Sequence, residues 1–188
     1  MNGLLTLVPS VVAIAVLVGL SAFFSSSESA LFSLSADWLA SADDAVVDDA
    51  GGVGEAGYAA GASANASVLD GLREDPHRLL VTILVGNNLV NVAISSLVTL
   101  LVVEFVPSGL AVVVATLAAS VLILVFGEIV PKAYGLGHAQ SWSLRVARPL
   151  SLVERALGPV VTVFDAVTSY LTALVGGDGD IEEPYLDE

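Results

Sequence analysis

FFSSSESAL (23–31), VGNNLVN (85–91) and FGEIVPK (126–132) decide the fold, because each lies in or directly ends a long apolar run. The runs are 4–24, 79–103 and 110–126, and a membrane-spanning helix needs about 20 predominantly apolar residues. The first two carry no charged residue, and the shorter third can continue through Gly127 and Glu128 to Pro131. A carboxylate at bilayer depth costs about 2.5–3.5 kcal/mol, so Glu28 and Glu128 together oppose insertion by about 5–7 kcal/mol. Residues that expensive point to a function.

Composition narrows the class. With 55% hydrophobic residues and a mean hydropathy of +0.85, a soluble domain would expose too much apolar surface. The first run lacks a basic leading region and an Ala-x-Ala cleavage pattern, so it reads as a span and not as a signal peptide. There is no cysteine, which removes disulfides, thiolate chemistry and zinc-thiolate sites, and any metal here must be bound by oxygen. The net charge of −14 argues against nucleic acid as a partner. Most of the acid lies outside the apolar runs, as on surfaces adapted to a high-salt, halophilic cytoplasm.

All six basic residues, Arg73, Arg78, Lys132, Arg145, Arg148 and Arg155, lie between the first two runs or after the third. The positive-inside rule therefore places the N-terminus outside and the C-terminus in the cytoplasm of a multi-pass cell-membrane protein. The expected fold is an all-α membrane protein, with spans at about 4–36, 79–104 and 110–134 joined by an acidic linker, 37–76. Within that linker 66–72 can form a short helix. A cytoplasmic-side amphipathic juxtamembrane belt, 138–175, follows, and Pro149 and Pro159 are expected to cut it into short helices whose arginines meet lipid head groups. An acidic tail, 176–188, closes the chain.

On a helix, Ser25, Glu28 and Ser29 share a face, which Ser21 and Ser33 extend. Asn87, Asn88 and Asn91 cluster likewise, with Ser95 and Thr99 beyond them, and Thr116, Ser120 and Gly127 trace a fainter line on the third span. Counted along the helices, the first two groups lie about 12–18 Å from the cytoplasmic end, Glu128 comes to a comparable level if the third helix continues a few residues past Pro131, and the three can then converge on one pocket. Hydroxyls, amide carbonyls and carboxylates without imidazole or thiolate select a hard cation: Mg²⁺, Ca²⁺, Mn²⁺ or Na⁺. Pro131 cannot donate to residue 127, which leaves the Gly127 carbonyl available as a further ligand. Taken singly, such residues serve as helix–helix glue worth about 0.6 kcal/mol per pair, and Glu128 has Lys132 within reach at i+4. Their joint occurrence favours a pocket. His77 and His138 lie outside the spans, so the serines have no general base and the chain does not read as an enzyme.

Together FFSSSESALFSLS (23–35), ILVGNNLVN (83–91) and GEIVPKAYGLGHAQSWSLRVARPL (127–150) resemble the membrane domain of the CNNM/CorC family, the cyclin M and CorC magnesium transport proteins. The resemblance covers residues 4 to about 175. It implies three membrane helices, a juxtamembrane helical belt, a homodimer and Mg²⁺ export, driven in bacterial members by Na⁺ influx. It also implies a dehydrated Mg²⁺ held by Ser25 and Ser29, by Asn88 or its neighbours Asn87 and Asn91, by the Gly127 carbonyl and by Glu128; Glu28 is a second candidate carboxylate. A membrane regulator that senses Mg²⁺ without transporting it is the alternative. Family members continue into a pair of cytoplasmic nucleotide-binding CBS domains, which the acidic tail is expected to precede. The linker is acidic where the family is often basic.

Overall fold

The computed structural model describes residues 2–34 and 56–175. Linker residues 37–55, the last residues expected of the first span and the tail 176–188 lie outside the described residues. Among the described residues, six α-helices and one π-helical segment follow in order: α1 (Asn2–Phe32), α2 (Ala56–Arg73), α3 (Pro76–Val103), α4 (Ser108–Leu122), the π segment (Ile123–Ile129), α5 (Val130–Gly137) and α6 (Ala139–Val175). Three stretches are long and apolar enough to cross a membrane: Leu7–Phe32, Pro76–Val103 and Ser108–Gly137. The chain is an all-α membrane protein with three spans, the third assembled from α4, the π segment and α5.

Local chemistry sets the ends. α1 stops at Phe32, short of residue 36, where the Ser33 hydroxyl donates to the Ala30 carbonyl at 3.1 Å and competes with the helical ladder. α3 begins at Pro76, whose missing N–H is no loss in a first turn, and Asp75 caps it by accepting from the Arg78 N–H at 2.9 Å. Pro107 opens α4 after a tight connection.

α3 is the central span: 33% of its apolar window is buried, against 11% for α1 and 17% for the third span. It packs on α1 and on α4, where Ala111, Ala115 and Ala119 form a buried stripe that lets the backbones approach. The large exposed side chains, among them Val112, Leu117, Leu89 and Val92, face outward from the spans. Apolar side chains so placed suit a hydrocarbon surrounding.

Two expectations about the helices outside the spans differ from the structure. The helix expected at 66–72 is the longer α2, which packs along α6 and buries Leu69 and Leu72, so tertiary contact outweighs its glycines. The belt, expected in pieces, is one helix of 37 residues with Pro149 and Pro159 inside it. Both prolines lie on the exposed face, as do Arg145 and Arg155, whose carbonyls lose their i+4 donors to them and point away from the core. The opposite face, Ser143, Val146, Ala147 and Leu150, is buried and holds the helix in line. Arg78 to Glu154 at 2.8 Å and His77 to Asp165 at 3.5 Å pin α6 to the start of α3.

Candidate metal centre

Where α1, α3 and the π segment meet, the Ser21 hydroxyl is the hub. Its Oγ lies 2.7 Å from Asn91 Oδ1, 3.2 Å from Asn87 Oδ1 and 3.5 Å from the Gly127 carbonyl oxygen. One hydroxyl has one proton to donate, yet three acceptors converge on it. Asn91 is oriented by Glu128, whose Oε1 accepts from Asn91 Nδ2 at 3.2 Å and so holds the amide oxygen toward Ser21. One turn along the same face of α1, Ser25 Oγ is buried with no hydrogen-bond partner among the described residues. Hydroxyl, amide and carbonyl oxygens thus gather at one place, the donor types that a hard cation takes.

Two backbone features build this arrangement. The i→i+5 ladder of the π segment ends with the Val130 N–H on the Val125 carbonyl, and Pro131 has no N–H for the Phe126 or Gly127 carbonyl. Gly127 is buried against Ser21, where a Cβ would stand 2.6 Å from Oγ, so glycine lets this carbonyl reach the hub without displacing the hydroxyl. π-helical turns are rare and concentrate at functional sites.

A second set of contacts fixes the α1 serines from the α5–α6 side. The Trp142 indole N–H, at the start of α6, donates to Ser26 Oγ at 3.0 Å, and Ser26 donates back to the Ala22 carbonyl at 2.7 Å. Tyr134 stacks on His138 and meets Trp142 edge to face, while Gly135 presses on the Ser26 backbone carbonyl. The centre thus rests on a helix clamped between α3, the π segment and α5.

Of the residues singled out by sequence, the structure brings Asn87, Asn91, Gly127 and Glu128 together around Ser21, with buried Ser25 adjoining. Glu28 and half-buried Ser29 lie one turn further along α1, and Glu28 is paired with Lys132 Nζ at 3.1 Å. Lys132 therefore bonds across to α1, not to Glu128 at i+4. Asn88 is exposed, donates to the Leu84 carbonyl at 2.9 Å, and with Asn91, Ser95, Ser96 and Thr99 lines an outward-facing groove of about 590 Å³. The Ser95, Ser96 and Thr99 hydroxyls donate to carbonyls four residues back and are satisfied within α3. Sequence reasoning counted Ser21 only as the continuation of a stripe; its place four residues before Ser25 was the available signal.

Comparison with known proteins agrees with the motifs. Residues 12–188 match the CNNM family, described as the cyclin M transmembrane N-terminal domain. The chain belongs to the CNNM family. A chloroplastic DUF21 domain-containing protein of Arabidopsis thaliana is 31% identical over 93% of the chain and 24% of that protein. A UPF0053 protein of Haemophilus influenzae is 30% identical over 89% of the chain and 36% of its own length. The UPF0053 inner membrane protein YfjD of Escherichia coli is 28% identical over 62% of the chain and 27% of that protein. The CNNM chain thus spans about a quarter to a third of these relatives.

Proposed function

We propose that this CNNM domain is a Mg²⁺ transporter, an exporter coupled to Na⁺ influx, which carries a dehydrated Mg²⁺ through a pocket centred on Ser21. The observation that carries this reading is the convergence of three acceptor oxygens on the one hydroxyl of the hub. Ser21, Ser25, Asn87, Asn91, the Gly127 carbonyl and Glu128 offer six oxygen ligands, the number that an octahedral Mg²⁺ requires. Five are neutral and share the cost of replacing water, while Glu128 supplies charge that stays strong in a low dielectric. Na⁺ takes the same donor types, which suits exchange through a shared site. Alternating access follows if α1 and the broken third span separate, since the π segment and Pro131 are where that span bends most readily.

The N-terminus lies outside and the C-terminus in the cytoplasm in this reading, and cysteines introduced at positions 2 and 180 should label from opposite sides of oriented vesicles; labelling from one side would refute it. A homodimer packed through the spans completes the assembly, with native mass spectrometry as its check and monomer alone in nanodiscs as the contrary result. The site itself is tested by calorimetric titration of Mg²⁺ into the purified chain in Na⁺-free buffer. Saturable binding that Na⁺ weakens is expected, and absence of binding would overturn the assignment.

A further inference from the structure

Glu28 is a carboxylate of the spans that the six-ligand pocket does not use. It follows Ser21 by seven residues on the same face of α1. Lys132 follows Glu128 by four residues, across Pro131, so the 3.1 Å contact between Lys132 Nζ and Glu28 Oε2 ties α1 to α5 two turns of α1 from Ser21. The side chains are 41% and 30% exposed, so the pair is accessible enough to open.

Charge gives this contact a consequence. With the pair closed, Glu28 is neutralised and the neighbourhood of Ser21 presents one uncompensated negative charge, that of Glu128. With Lys132 withdrawn, it presents two. A single charge suits a monovalent cation as well, and a second charge strengthens the hold on a divalent one over a monovalent one. We propose that Lys132 is a specificity-determining residue, a tethered cation that competes with the incoming divalent ion for Glu28 and switches the pocket between the two charge states. Lysine suits the task because its ammonium is a point charge on a flexible stem that can swing to the interface, whereas an arginine would hold the carboxylate in a fixed fork. The inference rests on the Mg²⁺ reading above.

The test is calorimetric titration of Mg²⁺ into the full chain, with and without Na⁺, for wild type, Lys132→Gln, Glu28→Gln and the double variant. Lys132→Gln should tighten Mg²⁺ binding about fivefold and weaken competition by Na⁺, the scale of one partly exposed ion pair. Glu28→Gln should weaken binding, and Lys132→Gln should add nothing in that background, since the partner it competes for is gone. Lys132→Arg keeps the pair and should bind Mg²⁺ no more tightly than wild type; Lys132→Met replaces Lys132→Gln if the latter fails to fold. Unchanged or weaker binding by a folded neutral variant, or equal tightening in the Glu28→Gln background, would overturn the proposal. Wild type that binds no Mg²⁺ removes the preceding reading as well. Wild type that binds, with Lys132→Gln neutral, removes only this one.

Discussion

Glu128→Gln is expected to lower Mg²⁺ affinity by about 100-fold or more while leaving the helical fold intact. The substitution keeps the size of the side chain and an oxygen that can still accept from Asn91 Nδ2, now at 3.2 Å, but it removes the negative charge beside the hub. Leaving one member of a desolvated charge pair unmatched costs about 3–5 kcal/mol, and about 1.4 kcal/mol is a factor of ten in affinity. Asn87→Ala and Ser25→Ala each remove a neutral oxygen and should weaken binding by smaller factors. Titration of the three variants beside wild type, with circular dichroism to confirm folding, separates a ligand from helix glue. Equal affinity of Glu128→Gln and wild type would make Glu128 a structural residue.

Gly135→Ala is expected to have the largest effect on stability of any single methyl addition in the spans. The added Cβ would collide with the Ser26 carbonyl group, lying 3.0 Å from its carbon and 3.1 Å from the Ser26 Cα, and these backbone atoms cannot rotate away. Overpacking of this kind costs about 1–3 kcal/mol or more. Because Ser26 also receives the Trp142 indole and adjoins Ser25, separating α1 from α5 should loosen the centre as well. Gly127→Ala makes the informative contrast: its Cβ meets the Ser21 hydroxyl, which can turn aside, so it should reduce Mg²⁺ binding with less loss of stability. Thermal unfolding in detergent, read together with titration, checks both. A Gly135→Ala variant as stable as wild type would mean that the α1–α5 contact is not close-packed.

The three spans were legible because hydrocarbon imposes one dominant rule, a long apolar run, and runs 79–103 and 110–126 satisfy it without reference to partners. Which face of a span meets which neighbour was less legible. Asn87 and Asn91 stand about 40° apart around a helix and Asn88 and Asn91 about 60°, so spacing alone does not choose the pair that reaches Ser21. Choosing between the faces still requires knowing where α1 lies. The π segment had no signal beyond Pro131, since an i→i+5 turn depends on how the Gly127 carbonyl is met from α1. The Glu28–Lys132 pair was hidden for the same reason: sequence offers Lys132 to Glu128 at i+4, and only the approach of α1 offers it a competitor. The continuity of α6 through two prolines reflects packing along its other face, which propensity cannot register.

Flux through the domain tests the central claim most directly, because a sensor and a transporter both bind Mg²⁺ and only a transporter moves it. The purified chain is reconstituted in liposomes containing a Mg²⁺ indicator, and Na⁺ gradients of either sign are imposed. The expected result is Mg²⁺ movement opposite to the Na⁺ gradient, reversed when the gradient is reversed and absent in Glu128→Gln. Saturable Mg²⁺ binding with no flux under either gradient would contradict the transport account and leave a membrane-embedded Mg²⁺ sensor in its place.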